Sequence, residues 1–188
     1  LPTGTYTLDL NGKTLSGSDD LMIDGSFTIC DSQGGGKLWR DGIIWVLGGH
    51  VAITGGQFNR VYLASDSADL SVTGGTFARI TSEDAAYPRA ALALCTAYQQ
   101  PDGQLIRRSD ITPTLENVAV VSCPHDEIDG ITCRICGTKM VAKVAKDDTL
   151  RYFADFEDAA QYAATLEGSA ITLLRDAIWG SMSLPTGT

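Results

Sequence analysis

Two runs of the chain alternate apolar and polar residues in the same way. "VAITGGQFNRV" from Val51 and "LSVTGGTFARI" from Leu70 match at an offset of 19 residues. Ile53 aligns with Val72, Gly55-Gly56 with Gly74-Gly75, Phe58 with Phe77, and Val61 with Ile80. Apolar side chains at alternate positions give a strand one buried face. Earlier runs share the character. "TYTLDL" places Tyr6, Leu8 and Leu10 on one face and ends at Asn11-Gly12, a tight-turn pair. "LMIDG", "FTICDS" and "GGGKL" follow. A repeat near 20 residues, with paired glycines and one apolar face per run, is the pattern of a β-solenoid. Two similar hairpins in a sandwich are the competing arrangement.

Residues 81–121 break the rhythm. "PDG" at 101–103 lies between two strand-like runs and reads as a hairpin turn, with "ENVAVVSC" as a further strand. This segment is expected to close the open end of the solenoid, because an uncovered sheet edge invites unwanted pairing. After residue 138 the pattern becomes compact α+β: "KMVAKVA", a turn, "LRYF", a helix, then "SAITLLRDA". The helix is expected from Phe156 to about Leu166, capped by Asp155 and ended by Gly168, with Phe156, Ala159, Ala160 and Ala163 on its packed face.

Between these parts, "CPHDEIDGITCRICG" supplies Cys123, His125, Cys133 and Cys136. Three thiolates and one imidazole can complete a tetrahedral zinc shell, and a C-x-x-C knuckle brings two sulfurs to one metal. Asp129-Gly130 supplies a turn that folds the two halves together. Disulfide formation is the alternative outside a cell, although three clustered cysteines pair badly among themselves. Cys30 and Cys95 stand apart on strand-like runs and read as buried apolar residues; a bond between them is not forced. With four ligands the metal has no open position, so its role is structural. The expected fold class is mainly β: a right-handed parallel β-helix (solenoid) with a small zinc-binding module and an α+β capping segment. The expected divisions are 1–121 for the solenoid with its terminal hairpin, 122–138 for the zinc-knuckle linker and 139–188 for the strand–helix–strand cap of a following repeat.

Composition narrows the function classes. The 188 residues carry a net charge of −9, which disfavours a nucleic-acid partner, since that needs a basic face. No apolar run reaches the roughly 18 residues that a membrane span requires. The balance suits a soluble surface exposed outside a cell. The termini add a clue: Leu1–Thr5 and Leu184–Thr188 are both "LPTGT". A cell-wall sorting signal L-P-x-T-G needs Thr where this pentapeptide has Gly4 or Gly187. A repeat of 183 residues in a tandem array is the reading that fits.

In their order, these motifs resemble a family. "YTLDLNGKTLSG…FTICDSQGGGKL", "ITGGQF" and "VTGGTF" look like the right-handed β-helix repeats of large surface proteins from Gram-positive gut bacteria. "LENVAVVSCPHDEIDGITCRICGTKMVAKV" looks like the Cys-x-His…Cys-x-x-Cys link between their solenoid units, and "RYFADFEDAAQYAATLEGSAITLLRD" like their capping segment. The resemblance covers nearly the whole chain. It implies a non-enzymatic repeat unit that binds a host protein; some such proteins bind host immunoglobulin through the antibody variable domain, in the manner of a superantigen.

Three other classes stay open. A mucin or glycan adhesin and a passive spacer repeat are compatible with the same scaffold. A polysaccharide lyase or hydrolase is the third, because β-helices often carry such activity. It would need carboxylates at a set separation, or a base with cation support. Asp31, Asp41, Asp66, Asp69, Arg40 and Lys37 are available, but the aspartates sit in turn-like runs where Asp is ordinary. The second histidine, His50, stands alone. "GGGKL" lacks the Ser or Thr of a phosphate loop, and no G-x-S-x-G elbow occurs. For binding, the aromatic and arginine anchors to examine are Trp39, Trp45, Tyr62, Tyr87, Arg107 and Arg108.

Overall fold

The computed structural model describes residues 4–64, 68–84 and 86–177. Two compact units divide the chain, Leu1–Ser122 and Cys123–Thr188. Among the described residues, no helix is long and apolar enough to cross a membrane.

The first unit is a parallel β-solenoid of four coils. One sheet stacks β1 (Thr5–Asp9), β4 (Ser26–Cys30), β7 (Gly49–Ile53) and β9 (Ala68–Val72), all parallel. The facing sheet carries β2 (Thr14–Gly17), β5 (Lys37–Arg40), β8 (Gln57–Leu63) and β10 (Thr76–Ser82). The short strands β3 (Leu21–Ile23) and β6 (Ile44–Val46) continue it, with β6 paired to the far half of β8. Inward side chains form ladders as the alternation predicts. Ile29, Ile53 and Val72 stack in successive coils, fully buried. Phe58 pairs with Phe77, and their rings stack with centroids 5.0 Å apart.

The coil length is less regular than the matched runs suggest. Neighbouring strands of the first sheet are offset by 21 residues at Thr5↔Ser26, 24 at Phe27↔Val51 and 19 at Gly49↔Ala68. In the second coil β5 and β6 are split by a turn at Asp41-Gly42-Ile43, whereas β8 runs straight through. The same corner explains why Phe58 and Val61 both face inward although three positions apart: Asn59 and Arg60 lie consecutively outside the core. Tight stacking also explains the paired glycines. Gly75 holds φ +106, and a Cβ on Gly74 would lie 2.6 Å from the Thr54 carbonyl oxygen of the coil below.

Aspartates stitch the turns together. Asp31 Oδ1 accepts from the Gly12 N–H at 2.8 Å and Oδ2 from Gly36 N–H at 2.6 Å. Asp9 Oδ1 accepts from Asn11 and Ser32 N–H, and Asp20 Oδ1 from Ile43 N–H. Backbone groups left over at turns need such acceptors, so turn chemistry accounts for Asp31. Asp66, the side chains of Asp69 and Arg40, and the terminal pentapeptides beyond Gly4-Thr5 lie outside the described residues.

The segment after β10 closes one end of the solenoid. A helix the sequence reading missed, α1 (Ala86–Ala91), comes first. Asp84 Oδ1 accepts from Ala86 N–H at its start, and Pro88 sits in the first turn, where its missing N–H costs little. The Pro masked a helix signal that the flanking alanines and acidic pair carried. β11 (Thr96–Gln99) then enters the "PDG" turn, where Gly103 N–H donates to Gln100 C=O. The return is only a bridge at Gln99↔Leu105, not a second hairpin strand. The main partner of β11 is β12 (Thr114–Ser122), which also lies antiparallel on β10 and covers that edge. Cys30 and Cys95 form no disulfide and are half-buried, rather than fully buried. Backbone bonds climb from Ile29 to Thr54, from Ile53 to Thr73 and from Val72 to Ala93, which puts the run of Cys30 three coils from that of Cys95. Three strand spacings of about 4.8 Å exceed the reach of a disulfide.

The second unit has its own small core. A hairpin of β13 (Ile128–Asp129) and β14 (Thr132–Cys133) turns through Gly130 at φ +61. A three-stranded antiparallel sheet has β15 (Ala142–Lys146) between β16 (Thr149–Phe153) and β17 (Ala170–Leu173). Helix α2 (Phe156–Ala164) packs on it, and Asp155 accepts from the Glu157 and Asp158 amides, as expected of its N-cap. The helix stops at Thr165, short of Leu166. Ala142, Val144, Phe153 and Ala159 form the core, with Phe156, Tyr162, Ala163 and Ile171 around it. Tyr162 rather than Ala160 completes the packed face, because its ring meets Phe153 at 5.4 Å and Arg151 lies over both.

Candidate metal centre and outer face

The cysteines of the second unit converge. Sγ atoms of Cys123, Cys133 and Cys136 all lie within 4.8 Å of one another, and all three residues are buried. The knuckle forms as C-x-x-C-G dictates: Gly137 N–H donates to Cys133 C=O at 2.8 Å, and Gly137 takes a left-handed φ of +75. Cys133 N–H donates to Thr138 C=O, and Met140 N–H donates to Ile131 C=O, fixing the strand to the β13–β14 turn. Asp129 and Arg134 pair at 3.0 Å on the outside.

The sulfurs are set among donors. Backbone amides of Cys136 and Ile135 point at Cys133, and the His125 amide at Cys123. Burial pushes the Cys133 thiol up. Cys123 is raised as the proton donor to Cys136, with burial adding to it. Cys136 is the acceptor and is driven far below the ordinary thiol range, first by Cys123, then by His125. Thr138 Oγ1 lies 3.2 Å from its sulfur. Thiols this close titrate as a group rather than singly. The sulfurs of Cys123 and Cys133 are 3.6 Å apart, far beyond a disulfide bond of about 2.05 Å, and none of the three cysteines forms a disulfide.

His125 stands beside Cys136 but outside the mutually close set of three. Its backbone is left-handed, with φ +57, and its Nε2 is buried with no hydrogen-bond partner. A buried polar atom without a partner costs about 1–3 kcal/mol. The three sulfurs therefore form a group that can hold a metal ion, and the orphaned nitrogen next to them is the observation that fits a further donor.

The six candidate binding residues do not form one site. Trp45 and Tyr62 are brought together by the pairing of β6 with β8, and their rings lie 4.5 Å apart. Trp45 Nε1–H donates to Asp20 Oδ2 at 2.9 Å, and Tyr62 O–H to Glu83 Oε1 at 3.3 Å. Burial, then Glu83, raises the Tyr62 hydroxyl above its usual range. Met22, 58% exposed, pairs with Trp45 on the other side. Strand register thus writes an outward row Met22–Trp45–Tyr62–Thr81–Thr114 across five strands. Beside it runs Arg60–Arg79–Glu116; Arg79 and Glu116 form an ion pair, and Arg60 donates to the Asp41 carbonyl. Trp39 is 43% exposed on β5, opposite Ser16 and before the corner. Arg107 is exposed and Arg108 half-buried on the connection from β11 to β12, outside the row. Tyr87 lies in α1, its side chain outside the described part. Met22, Arg60 and Glu83 were missed by sequence reasoning, because only the pairing register shows which runs become neighbours. His50 is exposed on β7. Comparison with known proteins finds no matching family, no matching curated protein and no matching solved structure.

Proposed function

We infer that this chain is a non-enzymatic recognition module: a rigid solenoid that binds a protein partner through the outer face of its larger sheet, followed by a zinc-clamped unit. The row Met22–Trp45–Tyr62, with Arg60 beside it, carries the reading. Aromatic and arginine side chains held by a stiff scaffold lose little entropy on binding and are the usual anchors of interfaces. The carboxylates an acid–base reaction would want also have other duties. Asp9, Asp20 and Asp31 each accept backbone N–H groups within the turns.

In the second unit Cys123, Cys133 and Cys136, with His125 as fourth ligand, would hold zinc. A closed shell of that type supplies folding energy and no open coordination position. The orphaned Nε2 of His125 supports the assignment.

The partner proposed is host immunoglobulin, engaged through the variable-domain framework; its support is the resemblance of the repeat motifs to bacterial surface proteins. Biolayer interferometry against Fabs grouped by variable-gene family tests it. Binding should follow heavy-chain family across unrelated antigen specificities, and Trp45→Ala or Tyr62→Ala should weaken it at least tenfold. Absence of binding to every Fab at about 50 μM, an affinity near −6 kcal/mol, rejects the antibody partner. Capture of mucin glycans would then mark an adhesin, and capture of nothing a spacer.

A further inference from the structure

The two ends of the solenoid differ. α1, β11 and β12 cover one, where Val72 meets Leu92 and β12 pairs with β10. At the other, β1, β2 and β3 each pair on one side only among the described residues. Burial falls off in the same direction. Ile29 and Ile53 are fully buried where Leu8, their counterpart in β1, is half-buried. Leu38 is fully buried where Leu15 is 44% exposed, and Tyr6 is 37% exposed above Val51 and Phe27. The first coil has the inward residues of a coil with a neighbour, and no strand among the described residues fills that place.

The second unit has a strand of matching sequence. β17 reads Ala-Ile-Thr-Leu, β1 Thr-Tyr-Thr-Leu and β4 Ser-Phe-Thr-Ile. In the observed register Tyr6 meets Phe27 and Leu8 meets Ile29; Ile171 and Leu173 hold the same two places in β17. Among the described residues this strand lies at the edge of its sheet, paired only with β15, and Leu173 is 55% exposed. Ile171 packs toward α2, and by alternation Leu173 shares that face.

Spacing gives an independent check. Because Leu184–Thr188 repeats Leu1–Thr5, a second copy overlaid on that pentapeptide has its Thr5 at position 188, 18 residues after Ala170. Within the solenoid, stacked strands Gly49 and Ala68 are 19 residues apart. The link from Leu173 to the overlaid Thr5 is residues 174–187, equal in length to the link 54–67 between Ile53 and Ala68. On that spacing β17 would stand one coil before the β1 of a following copy.

We propose that the free edge of β17 docks in parallel on the free edge of β1 of a second copy of this chain, with Ile171 over Tyr6 and Leu173 over Leu8. The second unit is then the cap of the next solenoid, with α2 lying over the end of its core. Strand addition satisfies two rows of open backbone groups and buries the unfinished apolar coil. The contact is heterologous, one edge against a different one, so it propagates as a linear array. It is independent of what the outer face binds.

The test is hydrogen exchange on a two-copy chain in which Tyr6 of the second copy follows Thr188 of the first, compared with the single chain. Amides of β1 in the second copy and of β17 in the first should both slow at least tenfold. Leu173→Asp in the first copy, at an exposed position, should return β1 of the second copy to single-chain rates. Tyr6→Asp in the second copy should do the same to β17 of the first; a mere loss of local structure would not reach across copies. Unchanged exchange at β1 in the two-copy chain, or protection that survives Leu173→Asp, overturns the proposal.

Discussion

The two units are stabilised on different principles. The solenoid buries a continuous ladder from Ile23 to Ile80, with a stacked phenylalanine pair at its centre. Each coil leans on the next, so stability is spread along the stack as a sum of neighbour contacts. Between its sheet and α2 the second unit has a cluster of four buried residues, two of them alanine, and toward its start Ile135, Met140 and Val141 are buried along with three thiols. A core that small needs a staple. One unit is held by many small contacts; the other has, beside a small core, a thiol group that can hold a metal ion.

The largest expected effect concerns that thiol group. The purified chain should hold about one zinc, as elemental analysis would show, and zinc bound to a Cys/His shell is worth about 10–16 kcal/mol of apparent free energy in small modules. Chelation, or Cys136→Ser, should free the amides of residues 123–140 to exchange while the solenoid stays protected. Purified chain without metal, with Cys133 and Cys136 in disulfides, would end the zinc assignment.

Next in size is the ladder. Phe77→Ala removes half of the stacked pair and should cost about 3–5 kcal/mol, a large part of a domain stability of ~5–15 kcal/mol. Thermal melting should drop sharply while metal content is unchanged. A negligible shift would contradict the inward register of Phe58 and Phe77.

Asp155→Ala removes the cap of α2 and should cost about 1 kcal/mol, read as faster exchange at the Glu157 and Asp158 amides. The smallest effect belongs to Asp9. The Ser32 amide, then that of Asn11, holds its carboxyl below the usual range. A depressed folded pKa gives stability that is present above the unfolded value near 3.8 and lost as pH falls through the folded one. Acid titration should loosen the turns at Asn11 and Ser32 below that range, and Asp9→Asn should abolish this pH dependence.

Much of the solenoid was legible because its signal is local and repeated. The paired runs at Val51 and Leu70 fixed the alignment of Ile53 with Val72 and of Phe58 with Phe77, and the structure has both pairs. Uneven coil lengths were not legible: the turn at Asp41–Ile43 and the glycine-rich turn after Asp31 lengthen a coil without disturbing its strands. α1 was hidden by Pro88. The cysteine cluster could be read because C-x-x-C-G constrains a backbone over five residues. The outer row could not, since Met22, Trp45 and Tyr62 come from three coils whose lengths differ.

The direction of the solenoid's hydrogen bonds has a mechanical consequence. In the sheet of β1, β4, β7 and β9 each strand bonds to the coil next to it, so the bonds point along the stack. Tension that draws the first strand away along that axis loads these bonds in sequence rather than all at once. β1 peels from β4 first, and the carboxylates of Asp9 and Asp31, each bonded to an amide in the adjacent coil, are the next catches. Coils leave the stack singly, and the chain lengthens in steps under low force instead of rupturing as a block.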